Sequence, residues 1–224
     1  MAASGGQDSR ENGPAAALAA GGPPYASPAS DPPTLGSIPA SRYAIFFGIA
    51  VIGCATDLAT KSWIFNRLGM PGPGQNPPIR LWDDIFSLTT SLNEGALFGM
   101  GQGLVIVFAG LSIVAAVGIL YWLFFKGAAH DLWLTIALAA ITGGIFGNLY
   151  DRLGLHGLVW NDPQRAGKPV YAVRDWLHFK VEGWIDWPVF NIADSLLVTG
   201  VGILLWHAFR QPAPPNGTKQ NNNI

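Results

Sequence analysis

At 224 residues the chain has 50% hydrophobic side chains and only 12% charged ones, about half the ~25% charged share of an ordinary soluble domain. The formal net charge of −1 leaves no basic footprint for nucleic acid. The single cysteine, Cys54, excludes an internal disulfide framework and any multi-cysteine metal site.

Residues 1–40 are rich in Ala, Gly, Pro and Ser, with almost no large apolar side chain. Such a segment cannot bury enough surface to offset its ordering entropy, so it reads as a disordered tail. Its acids Asp8, Glu11 and Asp31 do not fit a transit peptide. The first apolar stretch covers 43–63. Inside it Val51-Ile52-Gly53-Cys54 looks like a lipobox, but the long polar segment before it fits an ordinary helix better than a signal peptide. Further apolar stretches cover 104–125, 132–150 and 189–209, and residues 211–224 form a polar C-terminal tail. Each stretch has roughly the twenty residues that a helix needs to cross ~30 Å of hydrocarbon. The sequence therefore predicts an all-α membrane protein of four transmembrane helices, with a membrane domain over 41–210.

Four spans put both tails on one side of the membrane and the two long loops on the other. The tail side holds Arg10, Arg42, Lys126, Arg210 and Lys219. The loop side holds Lys61, Arg67, Arg80, Arg152, Arg165, Lys168, Arg174 and Lys180, and a count of basic residues alone would place it in the cytoplasm.

The same topology gathers unusual polar residues at one face. The first helix ends with Asp57, Thr60 and Lys61; the third ends with Asn148, Asp151 and Arg152; the fourth begins with Asn191, Asp194 and Ser195. Spacings of three and four residues put each set on one helical side. The long loops add Asn93 and Asp175 at this face. Asp57 with Lys61 also fits a plain i,i+4 ion pair, and Asp151 with Arg152 an interfacial pair. Asp194 is harder to explain structurally. Apolar residues surround it in sequence, and an ionisable group below the headgroups costs roughly 2.5 kcal/mol or more. Asp83, Asp84, Asp162, Glu182 and Asp186 read as solvated loop charges, and Gly143, Gly144 and Gly147 as sites of close helix packing. There is no His-Glu-x-x-His for a zinc protease and no Gly-x-Ser-x-Gly in or near a span for a serine nucleophile. His130, His156, His178 and His207 are scattered, with His130 and His207 expected at the opposite face.

Five ordered motifs resemble those of bacterial lipoprotein signal peptidases, the signal peptidase II family. They are Asp57-Leu58-Ala59-Thr60-Lys61, the run from Asn93-Glu94-Gly95 through Gly99, Gly143-Gly144 through Asn148 to Asp151-Arg152, Val173-Arg174-Asp175-Trp176-Leu177, and Phe190-Asn191-Ile192-Ala193-Asp194-Ser195. The resemblance covers 43–209 and implies an intramembrane aspartyl endopeptidase. Its implied substrates are diacylglyceryl prolipoproteins, cut before the modified cysteine; its other implied partners are membrane lipids, and it implies no metal or cofactor. The family's catalytic aspartates carry over onto Asp175 and Asp194. Its supporting residues fall on Asp57, Lys61, Asn93, Gly95, Asn148, Arg152, Asn191 and Ala193, with Asp151 the fallback partner for Asp194. The implied fold has a small extracytoplasmic β-cradle in the first outer loop, using 79–93, where Ile79-Arg80-Leu81-Trp82 and Phe86-Ser87-Leu88-Thr89-Thr90 are strand-like. The implied location is the inner membrane with both termini cytoplasmic, and five ordered motifs outweigh the charge count. Leu58 stands where the family usually has glutamine, and 161–171 reads as a tolerant surface insertion.

Two other classes fit part of the pattern. Intramembrane carboxylates also serve proton relays, but a channel needs polar groups through the full bilayer depth. A presenilin-type protease would use Tyr150-Asp151, but the chain has no Gly-x-Gly-Asp partner.

Overall fold

The computed structural model describes residues 36–82, 85–95 and 103–210. The expected tails up to residue 35 and from 211, the acids Asp83 and Asp84, and motif residues 96–99 lie outside the described residues.

Four helices are long and apolar enough to cross a membrane. α1 spans Ala40–Leu68, longer than the expected 43–63. Apolar spacing explains the extension: Ile64, Phe65 and Leu68 are all buried. Ile64 and Leu68 pack with Leu88 and Trp176. α2 spans Val105–Leu120 and runs into a wider π turn, Tyr121–Phe125. Gly127, at φ 78°, takes the left-handed conformation that ends it. Asp131 then starts α3, Leu132–Arg152, by accepting the backbone N–H of Leu134 at 3.0 Å. α4 spans Ile192–Arg210 and begins later than the expected 189. Phe190 cannot join it, because its N–H and C=O are held in a bridge with Leu177 at 2.9 and 2.8 Å.

α3 is the central helix. Some 67% of its apolar window is buried, against 11–17% in the other three, which leave most of their surface for lipid. Close packing depends on its glycines. A Cβ at Gly143 would lie 3.0 Å from the Ala50 carbonyl oxygen of α1, and one at Gly144 2.5 Å from that of Ala193 in α4. Small residues let membrane helices approach this closely.

Between the helices lies one antiparallel sheet in the order β1-β2-β3-β4. β1 is Ile79–Trp82, β2 Phe86–Asn93, β3 Val173–Val181 and β4 Ile185–Asp186. The cradle expected in the first loop therefore takes half its strands from the second, and Asp175 lies on a strand rather than in a loop. β3 lacks a clear apolar alternation, because its first four residues are buried. A bulge in β2 falls between the pairs Leu88↔Leu177 and Ser91↔Asp175. Thr90 within it donates to the Gly69 carbonyl at the end of α1, at 2.9 Å. The bulge thus re-aims β2 beside Asp175, a common use of bulges near sites.

Residues 158–170 form a hairpin-like arm, closed by Trp160 N–H to the Lys168 carbonyl at 2.9 Å and Val170 N–H to that of Leu158 at 3.0 Å. The arm is mostly exposed, as expected, but Val170 is fully buried. Asp162 is not simply a solvated charge: it accepts backbone N–H bonds from Gln164 and Arg165 and pairs with the Arg165 side chain. Asp186, exposed as expected, pairs with Lys180 and His178. His207 meets Asp131 at 2.6 Å, joining the end of α4 to the start of α3.

Candidate active site

Asp57 and Lys61 lie one turn apart on α1, and both are fully buried. Their head groups meet at 2.7 Å. Gly147 of α3 makes the room, since a Cβ there would collide with the Asp57 carboxylate. That carboxylate also accepts the backbone N–H of Ala193 at 2.8 Å, satisfying a free donor in the first turn of α4. Lys61 reaches on to Asn148 Oδ1 at 2.8 Å and Asp151 at 3.2 Å.

The two asparagines carry this framework to Asp175 and Asp194. Asn148 Nδ2 donates to Asp194 Oδ1 at 2.9 Å. Asn191 Nδ2 donates to Asp175 Oδ1 at 2.6 Å and to Asn148 Oδ1 at 3.2 Å. Asn191 also caps α4: its Oδ1 accepts the Asp194 N–H at 2.9 Å, and its own N–H donates to Asp194 Oδ2 at 3.3 Å. This reciprocal pair is a capping box whose acid is Asp194.

Asp175 and Asp194 line the same cavity of about 680 Å³. Asp175 is buried, while Asp194 is partly accessible. Burial is the largest influence on Asp175 and the charge of Asp194 the next; together they push its carboxyl up to about 8. Ser91, Leu92 and Asn93 of β2 line the cavity, as do Val173 and Asp175 at alternate positions of the paired strand β3. Asn93 hydrogen-bonds Asp175 and accepts the Gly95 N–H at 3.0 Å. Arg152, also on the wall, donates to the Gly95 carbonyl at 3.3 Å. The cavity continues between helices along Ser112 of α2, Ile145 of α3 and Leu197 and Val198 of α4.

Asp151 stands behind this cavity rather than in its wall. It is fully buried, it does not line the cavity, and its oxygens are taken by Arg174 and Lys61. Asp175, not Asp151, lines the cavity with Asp194.

The family profile described as Signal peptidase (SPase) II matches residues 49–210. A lipoprotein signal peptidase of Rhodopirellula baltica is 45% identical over 188 residues, covering 84% of this chain and 82% of the relative. One from Thermosynechococcus vestitus is 31% identical, covering 75% and 93%. The chain belongs to the signal peptidase II family. The fold agrees: a solved bacterial membrane enzyme superposes with a TM-score of 0.60 at 24% identity, covering 77% of this chain and 95% of the other.

In this signal peptidase II family member one residue at the site escaped the sequence reading. Arg174 stands in the sequence among the loop cations and inside the fourth motif but with no role, yet it is 3% exposed and fully engaged. A faint signal was present: it stands beside Asp175, and an arginine next to a buried acid needs a buried partner of its own. Among the described residues no cluster of His, Cys, Asp or Glu is placed to hold a metal.

Proposed function

We propose that residues 41–210 form a membrane-embedded aspartic endopeptidase that removes signal peptides from prolipoproteins, cutting before the diacylglyceryl-modified cysteine. One observation carries this reading: Asp175 and Asp194 share one cavity and one bonded asparagine pair, and burial beside Asp194 raises the Asp175 carboxyl. Two nearby carboxyls share one proton over a wide pH range.

Asp194 is the charged member. It sits in the first turn of α4, where the helix dipole favours an anion. It takes a proton from water as the water oxygen attacks the scissile carbonyl. Asp175, which keeps its proton to about pH 8, gives it to the carbonyl oxygen, and a tetrahedral diol forms. Asp194 then protonates the departing amine while Asp175 takes back a hydroxyl proton. The C–N bond breaks to a carboxylic acid and an amine, and both side chains return to their starting states. The two carboxyls supply every proton transfer, and the reading calls for no cofactor. Asn93 and Arg152 on the wall, held together through Gly95, offer partners to a peptide backbone that would have none in lipid. The apolar extension of the cavity between helices suits entry of a signal-peptide helix from the bilayer.

The site would face the outside of the inner membrane, with both termini in the cytoplasm. In a Cys54→Ala background, cysteine at exposed Gln164 should label only from outside, and at exposed Lys126 only from inside; the reverse pattern sinks this orientation. The activity is tested with purified protein and a synthetic diacylglyceryl prolipoprotein. Mass spectrometry should find a new N-terminus at the modified cysteine and no cut in the unmodified peptide. Equal cutting of both, or a cut elsewhere, overturns the substrate assignment.

A further inference from the structure

We infer that Arg174 is a positioning residue, a buried clamp that fixes the strand carrying Asp175 to the helices carrying the rest of the site. The inference rests on the catalytic reading of Asp175.

Neighbouring residues on a strand point to opposite faces. Val173 and Asp175 line the cavity, and Arg174 between them does not. Its side chain spans two other elements instead. Nε and Nη2 donate to Asp151 Oδ1 at 3.0 and 2.8 Å, and its own backbone N–H donates to Asp151 Oδ2 at 2.9 Å. Nη1 donates to Ser62 Oγ of α1 at 3.3 Å, and the guanidinium lies 6.0 Å from the centre of the Phe65 ring. One residue thus ties β3 to α3 and α1 together. A planar guanidinium fork fixes direction as well as distance, which a lysine ammonium cannot.

The clamp closes onto the site. Asp151 also meets Lys61, Lys61 meets Asn148, and Asn148 donates to Asp194. Arg174 is therefore joined to Asp194 through an unbroken chain of bonds, while its sequence neighbour is Asp175. The charges balance as well: Asp57 and Asp151 face Lys61 and Arg174, all four buried. Stability alone is a weak reason for such a cluster, because apolar packing often replaces buried pairs without loss.

The location supplies a reason. Asp151 is the last residue but one of α3 and Arg174 the second of β3, so their contact closes the base of the arm between them. An insertion in that arm can change length without moving Asp175, because the strand is held at its root.

The test uses full-length protein and the diacylglyceryl prolipoprotein assay. Arg174→Met alone leaves Asp151 short of a partner and risks misfolding, so the deciding variant is the paired change Asp151→Asn with Arg174→Gln. It removes one charge of each sign and leaves Asp57 with Lys61. It should insert and melt like the native protein, with kcat lowered ~10- to 100-fold by misplacement of a reacting group and KM unchanged. Arg174→Lys should also fold and lose kcat at unchanged KM, since charge without the fork does not hold the strand. Native kcat in the folded paired variant overturns the clamp, as does full rescue by lysine. Activity in Asp175→Asn would instead overturn the catalytic reading; an inactive Asp175→Asn beside a fully active paired variant overturns the clamp alone.

Discussion

Asn191 and Asp194 bond to each other twice at the start of α4, at 2.9 and 3.3 Å, so one motif both starts the helix and aims its acid. Asn191 has a third task, donating to Asp175 at 2.6 Å. Asn191→Asp keeps the cap acceptor but replaces that donor with a third carboxylate. It is expected to leave the helix intact and lower kcat by about 10²-fold or more, the scale of a misplaced reacting group. Steady-state cleavage with circular dichroism checks both halves; near-native kcat would contradict the bridging role.

Helix packing makes a separate prediction. Gly147→Ala drives a methyl into the Asp57 carboxylate, and Gly144→Ala drives one toward the Ala193 carbonyl. Each should destabilise the protein by ~1–3 kcal/mol, the usual cost of overpacking. Gly110→Ala, where a Cβ meets nothing within 4 Å, is the control and should be neutral or slightly stabilising. Thermal melting in detergent ranks them; a Gly147→Ala protein as stable as Gly110→Ala would refute the packing described for α1 and α3.

Burial and the nearby Asp194 charge move the Asp175 carboxyl from 3.8 up to about 8. The folded state therefore keeps a proton that the unfolded chain releases above about pH 4. The stability this group contributes is full below that pH and is lost as pH rises through about 8. Activity should follow on the alkaline side, since deprotonated Asp175 cannot protonate the carbonyl oxygen. A profile of kcat/KM against pH should fall near 8. A flat profile well past that pH would contradict a proton held by Asp175.

Among the described residues, the arm at 158–170 reaches the edge of the site through Arg165. Arg165, stacked 3.5 Å from the centre of Trp160, forms an ion pair with Glu94, next to Gly95. The two side chains are 43% and 31% exposed, and such pairs are worth ~0.2–1 kcal/mol. Arg165→Ala should therefore raise KM by at most about fivefold and leave kcat intact. Deleting 162–168 should leave a folded, partly active protein. Complete loss of activity in a folded deletion would mean that the arm shapes the cavity.

The spans were legible because four apolar runs of membrane length have few alternatives, and the polar face followed from topology. Asp57, Lys61, Asn148, Asn191 and Asp194 could be placed together because helical spacing is local. The sheet was legible only by half. Ile79–Trp82 and Phe86–Asn93 are strands close in sequence, whereas β3 pairs with β2 across a long stretch that holds α2 and α3, and burial on both faces of its first half erases alternation. Arg174 was hidden for a related reason: its partner Asp151 lies on the far side of an arm, and no local pattern joins them. The extra turn of α1 was missed because it packs under the sheet rather than in hydrocarbon.

The central claim is that Asp175 and Asp194 share the proton that drives cleavage. It is tested most directly by measuring single-turnover cleavage of a diacylglyceryl prolipoprotein by Asp175→Asn and Asp194→Asn, each verified as inserted and folded. Asparagine keeps the shape but can neither take water's proton nor pass one on. Each change should lower the rate by at least ~10²–10⁴-fold, the range of general acid–base catalysis, whereas Asp151→Asn, which does not line the cavity, should lose less. Near-native cleavage by either Asp175→Asn or Asp194→Asn would contradict the account.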